Sequence, residues 1–122
     1  MSAPSFKDLR VWQQAIDLAL EIYRVTSIFP KHETYGLAQQ MRRAAVSIPS
    51  NIAEGKGRWS GREFRHFLFN ARGSLLELET QIVIADRLEY FTDNQSADVR
   101  ELATRVGRSL AGLLNSLAVQ AD

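Results

Sequence analysis

Ser60 to Leu88 reads SGREFRHFLFNARGSLLELETQIVIADRL. Along it Phe64, Phe67, Leu68, Ala71, Leu75, Leu78, Ile82 and Ala85 recur every three or four residues, the period of one helical face and not of a strand. No proline interrupts the stretch. Ser60 with Glu63 has the spacing of a capping box, and Trp59 with Phe64 has that of a hydrophobic staple, so the helix start is marked twice. A second line at seven-residue spacing, Phe69, Leu76, Val83 and Tyr90, predicts a neighbour beyond the helix's own core.

Three more segments with the same period flank this one. The first runs from about Phe6 to Phe29, with a capping box at Ser5 and Asp8 and a stop at Pro30. It carries two apolar stripes, one of Leu9, Trp12, Ile16, Leu20 and Tyr23, the other of Val11, Ala15, Leu18, Ile22 and Val25. Together they are wider than one core needs, so this helix is expected to touch a second subunit. The next segment runs from about Thr34 to Gly55, with Leu37, Met41, Ala44, Ala45, Ile48 and Ile52 facing inward. Pro49 lies inside it and predicts an interruption and a kink, eased by the Ser47 or Ser50 hydroxyls or by water. Gly55 and Gly57 then suit a left-handed helix end.

The last helix is expected from about Gln95 to Val119, with Val99, Leu102, Val106, Leu110, Leu113 and Leu117 as its seam. Ala103, Gly107 and Ala111 follow one another at one-turn spacing, and Gly107 and Gly112 predict close approach of a neighbouring helix. Short connections at Pro30, Lys56 to Trp59 and Phe91 to Asn94 favour antiparallel neighbours. The expected fold is all-α, an antiparallel up-and-down four-helix bundle kinked at Pro49, with residues 1–122 as one domain.

A chain of 122 residues without cysteine can fold on a hydrophobic core alone and has no thiol chemistry. The N-terminal residues lack the apolar run of a signal peptide, and Ile82 to Ala85 is too short to span a bilayer, so the expected location is cytoplasmic, with no membrane partner. Net charge is +1, yet it is polarised. Gly36 to Leu75 carries +5, from Arg42, Arg43, Lys56, Arg58, Arg62, Arg65 and Arg72 against Glu54 and Glu63, while Leu76 to Thr104 carries −5. Such polarity marks either a basic binding face or facing surfaces that attract.

Chemistry of other kinds is thinly represented. Glu63 and His66 have the Glu-x-x-His spacing of di-metal bundles, but a second such pair and two further glutamates are missing. Glu63 reads instead as a cap and His66 as a partly exposed helical residue, and no metal or other cofactor is expected. Gly55 to Arg58 lacks the strand and Gly-Lys-Ser/Thr of a nucleotide loop, though it brings Lys56, Arg58 and Arg62 to a helix N-terminus that favours anions. With two histidines and no nucleophile elbow, no catalytic arrangement is indicated. Gln40, Arg43, Ser47, Asn51 and Glu54 on the second helix face Glu63, Asn70, Ser74, Glu77 and Gln81 on the third. These lines predict a structural polar network, with Arg43 near Glu77.

Three runs carry a family resemblance. They are Phe6 to Ala15; Phe29-Pro30 with Glu33 and Tyr35-Gly36-Leu37; and Gln40 to Gly55 with Arg42-Arg43-Ala44-Ala45, Ser47, Pro49 and Asn51-Ile52-Ala53-Glu54-Gly55. Gly73-Ser74 and Glu77 extend the match. The chain resembles the four-helix-bundle proteins encoded within intervening sequences of 23S ribosomal RNA genes. That resemblance implies a non-catalytic homo-oligomer, a pentameric ring or barrel. The family also looks related to the basic accessory variability determinant of diversity-generating retroelements, which implies RNA or DNA as a partner. The expected contacts to nucleic acid are Arg42, Lys56, Arg58, Arg62, Arg65 and Arg72, and the expected oligomer interface is Val11, Leu18, Ile22, Phe69, Leu76 and Val83. The other reading is a scaffold that presents its surface to a different protein.

Overall fold

The computed structural model describes residues 5–120, with side chains to residue 118; the first four residues, on which part of the N-terminal reading rests, lie outside them. Four helices account for most of the chain: α1 (Arg10–Thr26), α2 (Leu37–Lys56), α3 (Gly61–Arg87) and α4 (Asp93–Gln120). Among the described residues there is no strand. The helices pack in the order α1, α2, α3, α4, with α4 closing on α1. Ser47 of α2 meets Ser74 of α3, whereas Gly55 at the end of α2 lies against Phe67 near the start of α3, so these two helices run in opposite senses. Gly107 opposite Leu75 and Arg100 opposite Asp86 give the same relation for α4 and α3.

One continuous core draws on all four helices. Leu18 and Ile22 from α1, Met41, Ile48 and Ile52 from α2, Leu68 and Leu78 from α3 and Leu110 from α4 are its largest fully buried side chains, each contributing roughly 1.5–3 kcal/mol of burial. On α1 the structure decides between the two stripes. Val11, Ala15, Leu18, Ile22 and Val25 are buried, so Val11, Leu18 and Ile22 belong to the chain's own core and not to an interface with a second copy. The other stripe is the one left to water in part: Leu9, Trp12 and Ile16 are half-buried, and Leu20 and Tyr23 are exposed.

Ser5 and Asp8 do form a reciprocal capping box, but it closes a short 3-10 turn at Phe6–Asp8, and α1 begins only at Arg10. Helix α2 is continuous across Pro49, so the proline does not end it. The Ser47 hydroxyl pairs with Ser74 instead of easing the Ala45 carbonyl. Neither Gly55 nor Gly57 is left-handed. Gly55 is needed for space: a Cβ there would stand 2.6 Å from the Phe67 Cβ and 3.0 Å from the Phe64 ring, closer than atoms can pack. Gly107 faces Leu75 less tightly, a Cβ there standing 3.4 Å from it in ordinary contact, while Gly112 has open space around it, against expectation.

Among the described residues the left-handed one is Glu89, at φ 61°. It ends α3 in a Schellman turn, with the Tyr90 amide donating to the Ala85 carbonyl and the Glu89 amide to that of Asp86. Thr92 and Gln95 then make a capping box at the start of α4, through Gln95 N to Thr92 Oγ1 at 3.1 Å and Thr92 N to Gln95 Oε1 at 2.9 Å.

Candidate nucleic-acid interface

The turn between α2 and α3 is four residues long, Gly57 to Ser60, and it gathers the densest group of cations. Ser60 caps α3 by accepting from the Glu63 amide at 3.2 Å, worth about 1 kcal/mol. Lys56 ends α2 with its Nζ 5.8 Å from the centre of the Phe64 ring. Arg58 lies with its guanidinium carbon 4.8 Å from the Phe67 ring centre, and its Nη2 donates to Glu54 at 3.0 Å. Both cations are thereby drawn towards the first turns of α3. Arg58, Arg62, Glu63, His66 and Phe67 line a shallow groove there. Trp59 is wholly exposed, at 102%. The expected staple between Trp59 and Phe64 is therefore not made, because an indole with no buried surface packs on nothing.

The remaining cations named from sequence lie elsewhere. Arg65 is half-buried, and its Nε is enclosed without an acceptor. Arg72 is exposed further along α3, about 15 Å from Arg62 at the helical rise. Arg42 is about 21 Å along α2 from Lys56, with its donors engaged. Its Nε donates to Thr26 Oγ1 at 2.8 Å and its Nη2 to the Tyr23 carbonyl at 3.3 Å, and its guanidinium lies over the Tyr23 ring at 4.7 Å. That side chain ties α2 to the end of α1.

The polar seam between α2 and α3 is smaller than expected. Ser47 and Ser74 share a hydrogen bond at 2.8 Å, and Asn51 Nδ2 donates to the Ser47 carbonyl and hydroxyl at 2.8 and 3.0 Å. Gln40 and Glu77 lie outside this cluster, and Glu54 pairs with Arg58. Arg43 does not reach Glu77: it donates to the Gln39 side-chain oxygen at 3.2 Å once that amide faces it, and Glu77 accepts from Gln81 at 3.3 Å. An arginine finds a partner one turn away on its own helix more cheaply than across a seam, since less chain is ordered.

The two charged halves are also not joined. The four ion pairs among the described residues are Arg24 with Glu21, Arg58 with Glu54, Arg100 with Asp86 and Arg105 with Glu101. None links Gly36 to Leu75 with Leu76 to Thr104. All four are solvent-exposed in part, a setting in which such pairs contribute about 0–1 kcal/mol. Lys56 and Arg62 thus keep their charge towards solvent, while Arg58 shares its own with Glu54. His66 is exposed, with its ring 5.7 Å from that of Phe67.

Four packed helices without a strand among the described residues, with Lys56, Arg58 and Arg62 at one inter-helical turn, define an all-α bundle class. Within that class the profile of the 23S rRNA-intervening sequence proteins matches residues 7–112, and the chain belongs to that family. A search of curated proteins found no match. Among solved structures it is similar to a protein of unknown function from the S23 ribosomal protein family of Bacteroides thetaiotaomicron. That likeness has a TM-score of 0.79 at 22% identity, over 86% of this chain and 95% of the other. At this identity the likeness concerns the fold. Among the described residues no helix is long and apolar enough to cross a membrane.

Proposed function

We propose that the protein is a non-enzymatic homo-oligomer, a pentameric ring in keeping with its family resemblance, that binds RNA or DNA through the α2–α3 turn in the cytoplasm. The observation that carries the nucleic-acid reading is Lys56, Arg58 and Arg62 gathered at one turn, with no ion pair among the described residues to the acidic half of the chain. Phosphates are held by such cations and by helix N-termini, and the affinity then falls with salt. In an electrophoretic shift over a salt series, the Arg58→Ala, Arg62→Ala double variant is expected to lower both affinity and the salt slope, the latter by roughly one to two units. An unchanged slope would remove this face from consideration.

The oligomer reading is supported by two exposed apolar stripes on different seams. Tyr23 borders the α1–α2 seam, where it meets Arg42, and Leu20 is exposed one turn before it on α1. Phe69, Leu76 and Val83 lie along α3, where Val83 shares a groove with Arg100 and Thr104 of α4. Two unlike patches on different helices suit a head-to-tail contact, which closes into a ring when the rotation allows. Leu20→Glu and Leu76→Glu should each reduce the native mass seen by light scattering, and a strict wild-type monomer would defeat this reading.

The scaffold reading draws on Arg58, whose charge Glu54 already meets at 3.0 Å. Partners recovered in a pull-down and lost on nuclease treatment support the nucleic-acid reading; partners retained support the scaffold.

A further inference from the structure

We infer that the α2–α3 turn selects single-stranded nucleic acid, with Trp59 as the platform on which one unpaired base stacks; this rests on the nucleic-acid reading above. An indole side chain ordinarily buries a large apolar area, and Trp59 buries none. The packing role that its position suggests is vacant, because the rings of Phe64 and Phe67 are covered by Lys56 and Arg58 instead. Along the chain Trp59 follows those two cations and precedes Arg62, which starts the exposed line of Arg62 and His66 on α3. Gly61, two residues on, has nothing within 4 Å of where a Cβ would be, so the space over the first turn of α3 is open.

The chemistry of an occupant follows from these neighbours. An exposed indole on a turn that also carries Lys56, Arg58 and Arg62 matches a ligand that offers a flat π-surface and negative charge together, and a nucleotide does so. In a duplex the bases are stacked on one another and offer only their edges; in a single strand each base has a free face. The cations hold the backbone through a salt-dependent term, and the indole adds a term that salt hardly alters.

The test uses the full chain with labelled uridine and thymidine homopolymers of about 20 nucleotides, and a duplex of the same length, followed by fluorescence anisotropy. Wild type should prefer the single strands, with RNA and DNA similar because stacking needs no 2′-hydroxyl. Trp59→Ala should weaken single-strand binding by roughly tenfold or more, with the salt slope unchanged and Trp59→Phe partly restoring affinity. Melting temperature should not move, because the side chain packs on nothing. Single-strand binding indifferent to Trp59, or a duplex bound as tightly as the single strands, would overturn this inference and leave the basic face standing. A wild type that binds none of the probes at low salt would overturn both. A change in native mass on Trp59→Ala would assign the indole to a contact between copies and overturn it as well.

Discussion

The two ends of α2 show opposite economies of side-chain bonding. At its start, Arg42 is bonded to Thr26 and Tyr23, and the Glu33 carboxylate accepts from the Leu37 amide at 3.1 Å and from the Tyr90 hydroxyl at 2.8 Å. Phe29 is buried there between the rings of Tyr90 and Phe91, at 5.0 and 5.6 Å. At its end, Lys56 and Arg62 join no ion pair among the described residues, and Trp59 touches nothing. One end spends its polar groups on joining the loop of Phe29 to Gly36 to the α3–α4 connection. The other leaves them facing water. A cation that holds the fold cannot also meet a ligand at full strength, so charge counted along the sequence overstates the binding surface.

The largest effect should come from the packing that supports the open end. Gly55→Ala would add a methyl group 2.6 Å from the Phe67 Cβ; despite a gain in helix propensity of about 1 kcal/mol, the overpacking should destabilise the fold by about 2–3 kcal/mol in urea unfolding. The same substitution at Gly112, in open space, should stabilise it. Next, Arg42→Ala should cost about 1–2 kcal/mol, because the buried Thr26 loses a charged donor and Tyr23 loses its cation. Arg62→Ala, at the other end, should stay within about 0.5 kcal/mol. If the two arginines cost the same, the contrast between the ends fails.

The smallest effect is one of pH. The hydrogen bond from Tyr90 is the main reason that the Glu33 carboxyl titrates below its ordinary 4.5, with the Leu37 amide next and the charge of His32 a lesser aid. The same bond raises Tyr90 above its ordinary 10.0. A depressed carboxyl stabilises the fold above its unfolded value and loses that contribution as pH falls through the folded one; a raised phenol stabilises it below pH 10.0 and loses that as pH rises further. Tyr90→Phe should therefore lower the melting temperature at neutral pH, with the gap from wild type narrowing in acid. A gap constant down to the lowest pH at which both proteins fold would show that the hydrogen bond is not its source.

The helices and most of their inward faces were legible in the period of apolar residues, because burial selects whole faces. Which face of α1 is inward was not. Both stripes have helical spacing, and only the partners α2 and α4 decide between them. The Ser60 cap was legible because capping is local chemistry. The Trp59 staple, equally local in pattern, failed because the turn points the indole away from Phe64, and that direction is set by backbone angles that residue types do not specify. The cation cluster was legible in part. Lys56, Arg58 and Arg62 are neighbours in sequence and so in space, whereas Arg42 is removed by hydrogen bonds to a helix 16 residues away. The box at Thr92 and Gln95 carries the Thr-x-x-Gln signal and was open to the same reading as Ser60.

Gly55 has a consequence for assembly of the chain during folding. Helices α2 and α3 come this close only where one of them has no side chain, so sliding α2 by a turn would drive Ile52 into the place that Gly55 leaves empty against Phe67. The glycine acts as an index mark, giving the hairpin a single register and fixing where the turn, with its cations and its indole, comes to rest.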